Sequence, residues 1–227
     1  MKELQLHFIH PFKMNKDIRI VIADDHPMLL KGLQDELTVN NYNVISAASN
    51  GMQALEAILT LQPDVALLDI DMPLLSGFEV VKMTKDKGVN THFIMLSFHK
   101  EADYVTQAKS LQIQGYLLKE DPFFEIERCI EAVLNGQLYF SKSFNSTILN
   151  SASQDLKKLQ LLTPSESTIL KLIAQRMATN DIAESLFIST RTVEKHRSNI
   201  IGKLGIEGGT NQLTNWALTN KNVILEL

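Results

Sequence analysis

Between residues 18 and 135 the sequence switches five times from a short apolar run to a longer stretch of helical periodicity. Strands joined by helices of this length make a parallel sheet covered on both faces, and few other folds accept such a pattern. The strand-like runs are 18–23, 44–48, 65–69, 93–97 and 115–118. The third reads Val-Ala-Leu-Leu-Asp, with four apolar residues in succession, as a strand buried on both sides should. Between the runs, Pro27 opens a helix where its missing N–H does no harm, and Met28, Leu29, Leu33 and Leu37 keep one apolar face through it. Ala54, Leu55, Ile58 and Leu59 mark a second helix over 51–61, and further helices are expected over about 77–87, 101–111 and 122–135.

The strands end in reactive groups. Asp24 and Asp25 follow the first, Asp69 closes the third, Ser97 the fourth and Lys119 the fifth. In an open parallel sheet, ligands bind beyond the carboxyl ends of the strands. A single Asp there is usually a turn residue and a single Lys a solvated one, but this set is chemically coherent. Three carboxylates at one place repel and call for a cation, and hard oxygen ligands favour Mg2+. Mg2+ commonly shares its site with a phosphate, and a carboxylate beside it can attack phosphorus. Ser97 would then hydrogen-bond a phosphoryl oxygen and Lys119 would neutralise another.

These residues carry a resemblance. Residues 17–139 resemble the receiver domain of bacterial response regulators through Asp24-Asp25, Asp69 within Leu-Leu-Asp-Ile-Asp-Met-Pro, Ser97, and Gly-Tyr-Leu-Leu-Lys at 115–119. The resemblance implies a flavodoxin-like (CheY-like), doubly wound, five-stranded parallel sheet in an α/β domain. It implies that Asp69 takes a phosphoryl group from a sensor histidine kinase. It also implies Mg2+ held by Asp24, Asp25, Asp69 and the backbone carbonyl of Asp71, with Tyr116 as a rotamer switch. Two features depart from the pattern. Gln112-Ile113-Gln114 follows Leu111 where relatives carry a glycine, which a left-handed helix end prefers. Phe98, next to Ser97, is bulky and narrows the approach to Asp69. Asp69-Ile70-Asp71 also matches the DxD nucleophile of haloacid-dehalogenase-like phosphatases, but those place it after the first strand.

Charge divides the chain. Residues 1–154 carry 13 Lys/Arg against 19 Asp/Glu, and residues 155–227 carry 9 against 7. An acidic front and a mildly basic back point to two domains with different partners. The division expected is a tail over 1–16, a receiver over 17–139, a polar linker or short docking helix over 140–158, and a helical domain over 159–227. Residues 1–13 match no signal-peptide layout, and Met14 offers a second start. The lone Cys129 excludes a disulfide framework, and no apolar run is long enough to span a membrane. The expected setting is cytoplasmic, without membrane partners.

In the last domain, Thr163-Pro164-Ser165-Glu166 is a capping box with Pro at the first helical position. A short helix over about 180–186 follows, and Ser189 caps a longer one through Lys203. Two helices joined tightly, the second bearing Arg191, Lys195, His196, Arg197 and Lys203, suggest a helix-turn-helix. Residues 161–220 resemble the LuxR/NarL (FixJ) type DNA-binding domain through Leu-Thr-Pro-Ser-Glu, Ile-Ala-Glu-Ser-Leu-Phe-Ile-Ser, Arg-Thr-Val-Glu-Lys-His-Arg-Ser-Asn-Ile and Lys-Leu-Gly-Ile. The resemblance implies an all-α, four-helix domain whose third helix enters the major groove of double-stranded DNA and whose fourth, about 211–219, dimerises. Glu194, Lys195 and Ser198 are expected at base edges and Arg191, His196 and Arg197 at phosphates, with Thr192 also among the DNA-binding residues. Arg176 stands where a glycine is usual and Ala178 where a capping Ser or Asn is usual, leaving that turn to rely on Thr179.

The expected function is a transcription factor controlled by phosphorylation of Asp69, dimeric on DNA or once phosphorylated, and an enzyme only in transferring that group onto itself. The alternative is a DNA-binding regulator, independent of phosphorylation, whose receiver is only a dimerisation module.

Overall fold

The computed structural model describes residues 15–144 and 146–225, so the tail expected over 1–16 falls almost wholly outside the described residues. The chain begins as β1 (Arg19–Ala23), α1 (Pro27–Val39), β2 (Asn43–Ala48), α2 (Gly51–Leu61), β3 (Val65–Asp69) and α3 (Gly77–Asp86). It continues as β4 (His92–Ser97), α4 (Ala102–Ser110), β5 (Gly115–Leu118), α5 (Phe123–Leu134) and β6 (Tyr139–Phe140). The strands pair in parallel in the order β2-β1-β3-β4-β5-β6. The two-residue sixth strand adds to the five expected; it is too short for its periodicity to show in sequence. Its register, Gly115 opposite Tyr139 and Tyr116 opposite Phe140, returns the chain to the strand that carries Tyr116.

Alternation along each strand builds two cores, one on each face of the sheet. Val21, Ala66, Leu68, Phe93, Met95 and Tyr116 pack with α2, α3 and α4, while Ile20, Ile22, Leu67, Ile94 and Leu117 pack with α1 and α5. All five residues of β3 are buried, as its sequence requires. The helices start where local chemistry satisfies their free N–H groups. The Asn50 side chain accepts from Gln53 N–H, and Ser76 with Glu79 forms a full capping box at α3. Gly77 opens α3 hard against the strand before it; a Cβ there would lie 2.2 Å from the Asp69 carbonyl oxygen.

The region expected as a linker is largely α6 (Ser146–Leu159), a continuous helix of 14 residues. Beyond it come α7 (Pro164–Ala174), α8 (Thr179–Ser185), α9 (Thr190–Leu204), α10 (Thr210–Thr219) and α11 (Lys221–Leu225). The short α11 adds to the four helices expected, and its Val223 and Ile224 belong to the same core as Ile169, Ile173, Val193, Ile200 and Leu213. Glu166 ties this bundle together: it completes the cap of α7 and accepts from Lys203 Nζ at 2.6 Å near the end of α9.

Candidate functional site

β1 and β3 are neighbours, with Ala23 opposite Leu68, so the residues after them meet at one edge of the sheet. Asp24 and Asp69 are buried there, and Asp25 is half-buried. From β5, Lys119 reaches across: its Nζ lies 2.8 Å from Asp24 Oδ2 and 2.9 Å from Asp69 Oδ2. Burial pushes the Asp69 carboxyl above its ordinary value and the Asp24 charge adds to the rise, against the pull of Lys119. Burial alone would lower the Lys119 ammonium, but the two carboxylates reverse this and hold its pKa above the usual lysine value.

One further side chain joins this group. His26 Nδ1 lies 2.8 Å from Asp25 Oδ1, and the His26 N–H donates to Asp24 Oδ1. Ligand atoms of Asp24, Asp25, His26 and Asp69 lie within 4.8 Å of one another. Asp25 Oδ1 and Asp69 Oδ2 are buried, the first near the His26 ring and the second paired with Lys119, and neither makes a well-aligned hydrogen bond. Carboxylate oxygens left in that condition suit a hard cation. The donor set therefore fits a magnesium ion.

Asp71 points its side chain outward, and Asp71 Oδ2 lies 2.6 Å from His99 Nε2. The sequence did not single out His99. Its ring stacks on Tyr104 at 3.8 Å between centroids, its N–H donates to Ser97 Oγ, and its carbonyl accepts from the Tyr116 hydroxyl at 3.2 Å. Spacing gave no hint of this role, because its partners lie in the loop after β3, on α4 and on β5. Ser97 is buried at the end of β4, and its carbonyl accepts from Lys119 N–H. The Tyr116 ring is fully buried, and desolvation raises its hydroxyl pKa. Phe98 is 61% exposed, with Lys119 Nζ 5.3 Å from its ring centre. Gln112 adopts the left-handed conformation with φ 51°, and Lys85 Nζ donates to the Leu111 and Gln112 carbonyls at that helix end.

In the helical bundle, Ser189 caps α9 by accepting from Thr192 N–H, and Val193, Ile200 and Leu204 turn inward. Arg191, Glu194, Lys195 and Ser198 are exposed on the opposite side, with Thr192 and His196 half-buried. Arg197 departs from the expected phosphate-holding position. It is only 6% exposed, and its Nη2 donates to Thr214 Oγ1 on α10 at 2.9 Å. On a helix, a residue four beyond Val193 shares its inward face. Arg176 takes φ 67°, and Ala178 caps α8 without a side-chain bond. Thr179 does not replace that cap; its hydroxyl donates instead to Glu194 Oε1, joining α8 to α9.

Two family comparisons match. Residues 20–133 match the response regulator receiver domain and residues 160–217 the bacterial regulatory proteins of the luxR family. The transcriptional regulatory protein MctR of Rhizobium johnstonii is 34% identical over 83% of this chain and 88% of its own. The oxygen regulatory protein NreC of Staphylococcus aureus is 30% identical over 90% of this chain and 98% of its own. Among solved structures, RcsB of Salmonella enterica serovar Typhimurium, bound to a promoter in the presence of a phosphomimetic, is 25% identical with a TM-score of 0.60. That alignment covers 89% of this chain and 98% of RcsB.

Proposed function

The chain belongs to the response regulators that join a receiver domain to a LuxR-family domain, and from that premise we propose that it is a transcription factor switched by phosphorylation of Asp69. The observation that carries this reading is the buried bridge from Lys119 to both Asp24 and Asp69. It holds the Asp69 carboxylate beside a fixed cation that an incoming phosphoryl oxygen would also meet. In the transfer, an Asp69 oxygen attacks phosphorus of a phosphohistidine on a sensor kinase. The P–N bond breaks, its electron pair stays on the imidazole nitrogen, and an acyl phosphate remains on Asp69.

Asp24, Asp25 and Asp69, with the Asp71 carbonyl, would hold Mg2+, which when bound offsets the negative charge of carboxylate and phosphoryl oxygens. Ser97 donates its hydroxyl proton to one phosphoryl oxygen while its Oγ accepts from the His99 backbone N–H, and Lys119 pairs with another. Tyr116 reads the resulting move of the loop through its bond to the His99 carbonyl. The transfer is made once onto the protein itself and turns over no other substrate.

At the other end, the exposed side of α9 reads double-stranded DNA. Lys195 and Ser198 approach base edges, with Glu194 able to accept only from a cytosine amino group and so to reject other bases. Arg191 and His196 hold phosphates. Arg197 acts from beneath, fixing α9 on α10, the helix assigned to the dimer contact. A homodimer on paired half-sites follows from this arrangement.

The test is labelling by acetyl phosphate with Mg2+, read as the mass of one added phosphoryl group. The wild type takes the label and Asp69→Ala, still folded, does not; a labelled variant would remove Asp69 from the scheme. One observation favours the second reading, a regulator independent of phosphorylation. The outer side of α9 is exposed while Asp69 is still paired with Lys119. DNA isotherms with and without beryllofluoride separate the two readings.

A further inference from the structure

The segment after β6 is fastened to the phosphoacceptor side of the sheet at two points. Phe144 packs edge-on against the Tyr116 ring, with centroids 5.1 Å apart and planes at 75°, and is itself buried. Asp121, two residues beyond Lys119, accepts from Leu118 N–H through Oδ2 and from the Ser143 hydroxyl through Oδ1, each at 2.8 Å. Tyr116 and the turn after Lys119 are therefore packed against the residues that precede α6.

Helix α6 then belongs to both halves of the molecule. Ile148, Leu149 and the fully buried Ala152 pack into the sheet-side core with Tyr116 and Phe144. Leu156 and Leu159 pack into the core of the helical bundle. Lys109 of α4 clasps the same helix, donating from Nζ to the Leu149 carbonyl and to Ser153 Oγ. A helix of 14 residues is about 21 Å long, and its hydrogen-bonded backbone transmits a tilt at one end to the other. Among the described residues, this path runs through packed side chains and a continuous helix.

We propose that Phe144 and α6 form the mechanical link between Asp69 and the DNA-reading bundle, with Phe144 as the residue that senses Tyr116. The inference rests on the phosphoacceptor and DNA-binding readings above and adds the path between them. The Tyr116 hydroxyl donates to the carbonyl of His99, in the loop whose backbone N–H is held by Ser97 Oγ, so a shift of Ser97 toward a phosphoryl oxygen moves that loop. A ring that moves with this loop takes Phe144 with it, and the α6 axis follows. Coupling of this kind is reciprocal: a phosphoryl mimic alters DNA affinity by the same factor by which DNA alters affinity for the mimic.

The experiment measures that factor in the full chain. Beryllofluoride with Mg2+ is titrated with and without a duplex recovered from a random pool by the wild type. Wild type is expected to show a factor of about five or more, within the usual range for coupled sites. Phe144→Ala should bind mimic and duplex separately yet bring the factor within about twofold of unity. Phe144→Leu, which keeps most of the packing volume, and Lys109→Met, which opens the α4 clasp, guard against a folding defect and should each reduce the factor. A folded Phe144→Ala or Phe144→Leu that keeps the wild-type factor overturns the link, as does a wild type that binds both ligands without coupling. A wild type that fails to bind beryllofluoride or DNA at all overturns the functional reading instead.

Discussion

Lys119 Nζ lies 2.9 Å from Asp69 Oδ2, with both side chains about one-twentieth exposed, at 5% and 4%. The pair also includes Asp24 at 2.8 Å, so a single ammonium serves two buried carboxylates. The pocket is thus short of positive charge in the resting protein, and its behaviour toward metal, acid and mutation follows from that shortage.

Removing one carboxylate should stabilise the fold. Burial, with help from Asp24, raises the Asp69 pKa, so its charged form is disfavoured in the native state at neutral pH. Asp69→Asn is expected to raise Tm by a few degrees at pH 7 without metal. A raised native pKa means the charge penalty applies only above the ordinary value of 3.8 and is absent below it. The gain should therefore shrink to nothing as pH falls through that window. Calorimetry of both proteins from pH 7 downward, while each still folds reversibly, checks the sign.

Removing the ammonium should do the opposite and draw in metal. Lys119→Met leaves Asp24 and Asp69 uncompensated, with an expected loss of about 3 kcal/mol in the absence of divalent ions. The same change makes the pocket more negative, so Mg2+ should bind more tightly than in wild type. Titration calorimetry with MgCl2 reads the affinity. Weaker Mg2+ binding in the variant would show that Lys119 supports the ion rather than competing with it.

Gly77 should tolerate no side chain. A Cβ would meet the Asp69 carbonyl oxygen at 2.2 Å, so strand or helix must shift at the phosphoacceptor itself. Gly77→Ala is expected to cost about 1–3 kcal/mol as overpacking and to slow labelling by acetyl phosphate. Gly32→Ala, in the interior of α1 with nothing within 4 Å of the new carbon, is the control and should leave labelling unchanged while stabilising the fold by up to about 1 kcal/mol.

Lys195 and Arg197 lie two residues apart on α9 and should behave differently. Lys195→Ala should weaken DNA binding with Tm unchanged; if it meets a phosphate rather than a base edge, the salt slope also falls by about 0.9. Arg197→Ala removes the bond to Thr214 and a buried stem, with an expected loss of about 1–3 kcal/mol in bundle stability. Paired salt-dependent isotherms and thermal melts distinguish a contact from a brace.

Glu166 should make the bundle sensitive to acid. Burial opposes its charge, but Lys203 and the Thr163 cap outweigh burial and lower its pKa below 4.5. A lowered native pKa stabilises above the ordinary value and is lost as pH falls through the native one. Glu166→Gln should destabilise the bundle at pH 7, with the difference from wild type narrowing below pH 4.5.

Much of this was legible in sequence because it depends on local patterns. The alternation of apolar runs and amphipathic stretches was enough for a parallel sheet, and the groups ending its strands, Asp24, Asp69, Ser97 and Lys119, were enough for one site. Capping residues such as Thr163, Ser189 and Glu166 mark helix starts because their bonds span only three residues. Arg197 was misplaced for a related reason: a basic residue on a basic helix reads as exposed until the inward face it shares with Val193 is counted.

What only the tertiary structure decided depends on distant segments meeting. His99 binds Asp71 and Tyr104, and Phe144 meets Tyr116, neither at a spacing that announces a contact. The polar segment before the bundle became a helix shared by two cores, because Ile148, Leu149, Ala152, Leu156 and Leu159 find apolar partners on different units. Strand periodicity and capping are properties of the chain itself. Which polar residue pairs with which, and whether a linker bends or stiffens, depends on packing across the sheet, which no local pattern encodes.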